Sequence, residues 1–165
     1  STLFPYTTLF RSRTGTGGFD ARSESNIITL APKVQILARR FLTIMINNGL
    51  DVRIISGTRT YAEQNALFRN GRFGNPGPVV TNARGGQSNH NFSLAWDIGL
   101  FENNKYIKTA SKYVPLASLV MGNLAGLEWG GNWQSFPDVP HYQHIAIVNS
   151  VSDVRALFEQ GKPYV

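Results

Sequence analysis

Between Pro32 and Met45 the apolar residues Val34, Leu37, Ala38, Phe41, Leu42 and Met45 recur at helical spacing, with Pro32 in the first turn and Asn48-Gly49 as a stop. A long helix with one apolar face needs a second layer to cover it. The rest of the chain offers short candidates for that layer. Val52 to Ile55 is a β-branched run, broken by Ser56-Gly57, and reads as a buried strand. Thr60 and Glu63 make a capping box, so a helix is expected from about Tyr61 to Asn70, ending at Gly71. Gly, Pro and Asn dominate from Gly74 to Gly86, which is loop chemistry. Leu94 to Leu100 suits a strand, and Phe101 to Lys105 a turn with Asn103-Asn104 at its tip. A helix is expected from about Lys112 to Ala125, with Pro115 near its first turn and Gly126 as its stop. Tyr142 to Val148 reads as a last strand and Val154 to Phe158 as a short terminal helix. The order helix, strand, helix, strand, helix, strand predicts an α+β fold: a single domain whose small, largely antiparallel sheet is flanked by helices. Residues 19–150 form its body and residues 151–165 a C-terminal helix or tail.

At 165 residues the chain is long enough to bury a core without disulfides. It has no cysteine, so any bound metal must sit on nitrogen and oxygen donors, and the redox compartment is left open. No uninterrupted apolar run is long enough to span a bilayer. The net charge of +6 favours polyanions, either nucleic acid or an acidic cell wall. The arginines are scattered along the chain and form no basic stripe interleaved with stacking aromatics, which argues against nucleic acid. Residues Ser1 to Ser12 match the translated frame of a common sequencing adapter, as in a metagenomic assembly. They are expected to be foreign to the domain, with the Gly-rich stretch Thr14 to Gly18 as a flexible junction.

His90 and Asp97 are seven residues apart, a spacing that cannot put both side chains on one face of an unbroken strand. A turn is needed between them, and Asn91 to Ser93 can provide it. His141 opens the last strand and shares a face with Gln143, Ile145 and Ile147, so His144 points the other way and is a poor ligand candidate. Two imidazoles and one carboxylate leave the fourth position of a tetrahedral zinc open, which distinguishes catalytic from closed structural sites. Asp138, between Pro137 and Pro140, is placed to act as a base beside such a metal. Glu128 is a second possible base, or simply a helix-end carboxylate. On spacing alone, the same histidines and aspartates also serve as ordinary capping or surface groups.

Longer strings narrow this choice. Ile54-Ile55-Ser56-Gly57-Thr58-Arg59-Thr60-Tyr61-Ala62-Glu63-Gln64, Ser88-Asn89-His90-Asn91-Phe92-Ser93-Leu94-Ala95-Trp96-Asp97-Ile98-Gly99, Gly126-Leu127-Glu128-Trp129-Gly130-Gly131-Asn132-Trp133 and Asp138-Val139-Pro140-His141 resemble the VanY-like D,D-carboxypeptidase and L-alanyl-D-glutamate endopeptidase family of bacterial wall enzymes and phage endolysins. The resemblance runs from about Phe19 to Tyr142. It implies a Zn2+ metallopeptidase with His90, Asp97 and His141 as metal ligands and Asp138 as general base. It also implies that Arg59 holds a substrate carboxylate or the developing oxyanion, and that Gln64 and Ser88 line the substrate site.

The expected partner is the peptidoglycan stem peptide and not nucleic acid, the expected location is extracellular or at the cell wall, or else cytoplasmic as a phage lysin released at lysis, and a monomer is expected. The expected activity is L-alanyl-D-glutamate endopeptidase. The alternatives are D-alanyl-D-alanine carboxypeptidase and, from another class, an inactive cell-wall-binding module. Three departures stand out. Ser93 replaces the family's usual glycine, so a positive φ there would carry strain. Thr58 and Thr60 flank the arginine in place of Tyr and Ser, and Trp96 is bulkier than the common Phe.

Overall fold

The computed structural model describes residues 18–165; the expected leader and all of its junction except Gly18 lie outside the described residues. The described helices are α1 (Ala21–Ile27), α2 (Pro32–Asn47), α3 (Tyr61–Arg69), α4 (Val114–Val120) and α5 (Val151–Glu159). The strands are β1 (Asp51–Ser56), β2 (Ala95–Glu102), β3 (Lys105–Ile107), β4 (Leu127–Trp129) and β5 (His141–His144), ordered β1-β2-β5-β4 with β3 beside β2. Every pairing is antiparallel. The α+β class holds, and the sheet is small and antiparallel as expected.

The apolar face of α2 is buried as its periodicity requires, with Val34, Ala38, Phe41, Leu42 and Met45 fully enclosed. It lies against the sheet. Phe41 meets the edge of Trp96 at 5.9 Å and tilts onto Tyr142 at 4.6 Å. Trp96 and Tyr142 are direct cross-strand partners of β2 and β5, so they share the core face. Strand alternation then sends Asp97, His141 and Gln143 to the opposite face, where the cleft lies. One sheet face therefore builds the core and the other carries the chemistry.

Several boundaries differ from expectation. The helix expected to reach Ala125 stops at Val120: Met121 is extended and Gly122 takes a φ of +93°, so the chain breaks at the first glycine and not at Gly126. The last strand ends at His144 instead of Val148, and Ile145 and Ile147 are exposed. Three elements are additional: α1, β4 and β3, which pairs with β2 beyond the expected turn. In α1, the Asp20 cap accepts hydrogen bonds from Ser23 N and Oγ, and Ser23 Oγ in turn accepts Ile54 N of β1 at 2.9 Å. β4 places Glu128 on a strand, not at a helix end.

The expected turn between His90 and Asp97 is a 3₁₀ turn, Asn89–Phe92, closed by Ser93 at φ +59°, ψ +26°. This left-handed conformation costs an L residue about 1–2 kcal/mol. The Ser93 hydroxyl recovers part of it by sharing a hydrogen bond with Thr58 Oγ1 at 3.1 Å. Ser93→Gly should therefore stabilise the fold by about 1 kcal/mol, raising the melting temperature by roughly 2–4 °C in a chain of this size. A thermal melt with an unchanged or lower midpoint would count against the strain.

Residues 151–165 pack back onto this turn. Phe158 meets Phe92 at 5.3 Å, Tyr164 donates to the Phe92 carbonyl at 2.8 Å, and Val154 is buried in the common core.

Candidate metal centre

β2 lies beneath the site. Asp97 is the direct partner of His141 on β5 and of Ser56 on β1. The β1 pairing is reached through a bulge between Ile54 and Ser56, which turns Ser56 to the cleft side while Ile54 stays opposite Ile98 in the core. His90 comes from the 3₁₀ turn just before β2. The turn is fixed by Ser88, whose hydroxyl accepts His90 N, and by Asn91, whose amide donates to the Arg59 carbonyl at 3.0 Å.

These elements bring His90 Nε2 and His141 Nδ1 each to 3.3 Å from the same oxygen, Asp97 Oδ1. Atoms of the three side chains all lie within 4.8 Å of one another. Both imidazoles are almost sealed from solvent, at 2% and 4% exposure. Each is oriented from behind. His90 Nδ1 donates to the Gly57 carbonyl and His141 Nε2 to Gln143 Oε1, both at 2.8 Å. Those bonds turn His90 Nε2 and His141 Nδ1 inward, where a metal would take their lone pairs. Gly57 must be glycine for the first of them: a Cβ there would stand 2.6 Å from the Asn26 carbonyl. The donor set, two neutral imidazoles and one carboxylate with oriented outer partners, fits zinc.

Burial alone would raise the Asp97 carboxyl, but His90 and His141 draw it well below the usual carboxylate range. Its outer oxygen, Oδ2, accepts Arg59 Nη2 at 2.6 Å. Arg59 also donates to Ser56 Oγ at 3.0 Å and to Gln64 Oε1 at 3.2 Å. Those bonds leave two of the five N–H donors of a guanidinium for other acceptors, and Arg59 lines the cleft. Gln64 does not line it as expected. It is completely buried and holds Arg59 from behind while donating to the Ala83 carbonyl, because its helix turns it inward. Ser88 does border the cleft, although its hydroxyl is occupied as a cap.

Asp138 faces the same cleft of about 540 Å³. Burial, reinforced by the negative Asp97, raises its carboxyl above the ordinary value, against the pull of His141, His90 and Arg59. The Leu127-to-Trp133 string explains its placement. Trp129 Nε1 donates to the Val139 carbonyl at 2.8 Å, clamping the turn, and Gly131 sits against the Trp129 ring. Gly130 lies directly under that turn: a Cβ would stand 2.5 Å from the Asp138 carbonyl and 3.0 Å from His141 Cβ. Gly130→Ala must push both residues away. Since a misplacement near 1 Å costs about 10²-fold, turnover should fall at least tenfold; normal turnover in this variant would show that the close approach is unnecessary.

Glu128 is not part of the cleft. It lies across from Gln143 and accepts its amide at 2.6 Å. His144 points away from the cluster, as strand parity requires, with Nδ1 on the Ile145 carbonyl. Sequence reading placed Gln143 on the face of His141 but gave it no role; the pairing with Glu128 crosses two strands and leaves no local signal.

An antiparallel sheet presenting two oriented imidazoles and a carboxylate, beside a second unbonded carboxylate, defines a metallopeptidase-type centre. Comparison with known proteins agrees. The family described as D-alanyl-D-alanine carboxypeptidase matches residues 81–144. The peptidoglycan L-alanyl-D-glutamate endopeptidase CwlK of Bacillus subtilis is 36% identical over 124 residues, covering 70% of this chain and 74% of the relative. Among solved structures, the Serratia marcescens L-Ala D-Glu endopeptidase ChiX superposes with a TM-score of 0.58 at 23% identity, over 76% of this chain and 88% of its own. The vancomycin-resistance D,D-pentapeptidase VanY, solved as an E175A mutant in complex with Zn(II), gives 0.50 at 14% identity, over 81% and 80%. The chain belongs to the VanY-like D,D-carboxypeptidase and L-alanyl-D-glutamate endopeptidase family of peptidoglycan-hydrolysing metallopeptidases.

Proposed function

We propose that this protein is a zinc-dependent peptidase that cleaves peptidoglycan stem peptides between L-alanine and D-glutamate, acting at the cell wall. The observation that carries the reading is the convergence of His90 Nε2, Asp97 Oδ1 and His141 Nδ1 at the base of one cleft, with each imidazole oriented from behind. The identity to CwlK supports the bond assigned. No helix among the described residues is long and apolar enough to cross a membrane.

In this reading His90, Asp97 and His141 hold the ion. Zinc, when bound, supplies Lewis acidity, polarising the scissile carbonyl and making water acidic enough to attack near neutral pH. Asp138 accepts the proton of the attacking water and hands it to the amine that leaves as the C–N bond breaks. Its raised affinity for protons suits both halves of that task. Arg59 meets charge on the substrate with its remaining donors while keeping Asp97 in place, and Gln64 holds Arg59. Ser88 and Trp133 border the cleft beside the reacting groups.

The second reading, a D-alanyl-D-alanine carboxypeptidase, draws on the description of the matching family and on the capacity of Arg59 to clamp a terminal carboxylate. Mass spectrometry of digested peptidoglycan separates the two. New N-terminal D-glutamate supports the endopeptidase, whereas released D-alanine replaces it with the carboxypeptidase. Intact stem peptides with zinc present would reject hydrolysis and leave a wall-binding module.

A further inference from the structure

Gln143 is buried beside His141, and its amide is held at both ends. Oε1 takes the His141 Nε2 hydrogen bond at 2.8 Å and a second from Asn89 Nδ2 at 3.0 Å; Nε2 donates to Glu128 Oε2 at 2.6 Å. An amide and a neutral imidazole can each reverse donor and acceptor, so His141 and Gln143 alone would satisfy each other in either sense. Asn89 could reverse with them. Glu128 cannot, because a carboxylate only accepts. It requires the NH2 of Gln143 to face it, which turns the carbonyl oxygen to His141. That oxygen requires a proton on His141 Nε2, so a metal can reach the ring only through Nδ1, the atom 3.3 Å from Asp97 Oδ1; without a metal, that carboxylate also favours a proton on Nδ1.

We infer that Glu128 is a positioning residue that sets the tautomer of His141 through Gln143, fixing which ring nitrogen is offered to the metal. The inference rests on His141 being a ligand, as proposed above. Glu128 touches no ligand itself. Its place opposite Gln143 in the β4–β5 ladder gives it this control from the outer edge of the sheet.

Glu128→Gln preserves shape at an exposed position but replaces the obligatory acceptor by an amide that works either way round. Two measurements on the full chain judge it. Long-range ¹H–¹⁵N NMR of the metal-free protein should show a proton held on His141 Nε2 in the parent and an Nε2 that is only partly protonated in Glu128→Gln, with His90 unchanged. Competition titration with Zn2+ against a chromophoric chelator should show about tenfold weaker binding in Glu128→Gln and about 10–100-fold in Gln143→Leu, the range typical for losing an outer partner. Glu128→Asp keeps an obligatory acceptor and should restore most of the difference. An unmoved His141 tautomer in Glu128→Gln, with zinc affinity within twofold of the parent, would overturn the inference. A parent chain with the proton held on His141 Nε2 but no zinc uptake would instead overturn the ligand assignment, since the NMR measurement is made without metal.

Discussion

Asp138→Asn should lower kcat by about 10²–10⁴-fold, the range associated with loss of a general base, while one zinc ion per chain remains bound. Asparagine keeps the volume of the side chain and the turn against Gly130, so the loss would report proton transfer and not misplacement. The same change should stabilise the metal-free protein. Burial and the neighbouring Asp97 raise the Asp138 carboxyl above its unfolded value, so its ionisation is less favourable in the fold than in the unfolded chain. The stability tied to the protonated form is fully present below about pH 4, the ordinary aspartate value, and is lost as pH rises through the raised one. Asparagine never ionises and escapes that loss. Melts of the chelator-treated proteins should coincide in acid and separate in favour of the variant towards neutral pH. Full turnover in Asp138→Asn would transfer the base role elsewhere, and an opposite order of melting would show that the carboxylate is not disfavoured in the cleft.

The residues that became legible in the sequence are those whose roles depend on near neighbours. The face of α2, the Thr60–Glu63 capping box and the separation of His141 from His144 follow from periods of the backbone, which act over a few residues. The turn between His90 and Asp97 followed from their spacing, whereas the strain at Ser93 was legible only through the resemblance, which marks that position as a glycine. Gln64 was misplaced because family strings mark position without marking depth. β4 escaped notice because Leu127 to Trp129 is too short to show alternation, and its existence depends on pairing with β5. The Tyr142 to Val148 reading ran too far for the converse reason: its apolar run continues, but described ladder pairing does not extend beyond His144. The control of His141 by Glu128 was invisible for the same physical cause, since hydrogen bonds across strands depend on register that no single segment encodes.

Asp97→Asn tests the other aspartate, and its effects run the opposite way. One oxygen of Asp97 meets both imidazoles and the other accepts Arg59. An asparagine can satisfy only one side. Turned with its oxygen to Arg59, it presents NH2 to the metal position; turned with its oxygen inward, it sets NH2 against a guanidinium that can only donate. Zinc affinity should therefore fall by more than the roughly 10–100-fold expected for an outer partner, and activity should fall with it. Metal-free protein should also lose about 1–3 kcal/mol of stability at neutral pH, because the one charged acceptor that faces Arg59, His90 and His141 is gone. The histidines hold the Asp97 carboxyl well below its unfolded value despite burial. Its contribution is thus present above about pH 4 and lost as pH falls through the lowered value. The parent and Asp97→Asn should differ most near neutrality and converge only in strong acid. Two aspartates at one cleft would then respond to the same isosteric change with opposite shifts in melting temperature, a contrast that equal surface carboxylates could not produce. Tight zinc binding retained by Asp97→Asn would remove this carboxylate from the ligand set and leave the two imidazoles to be completed by another group.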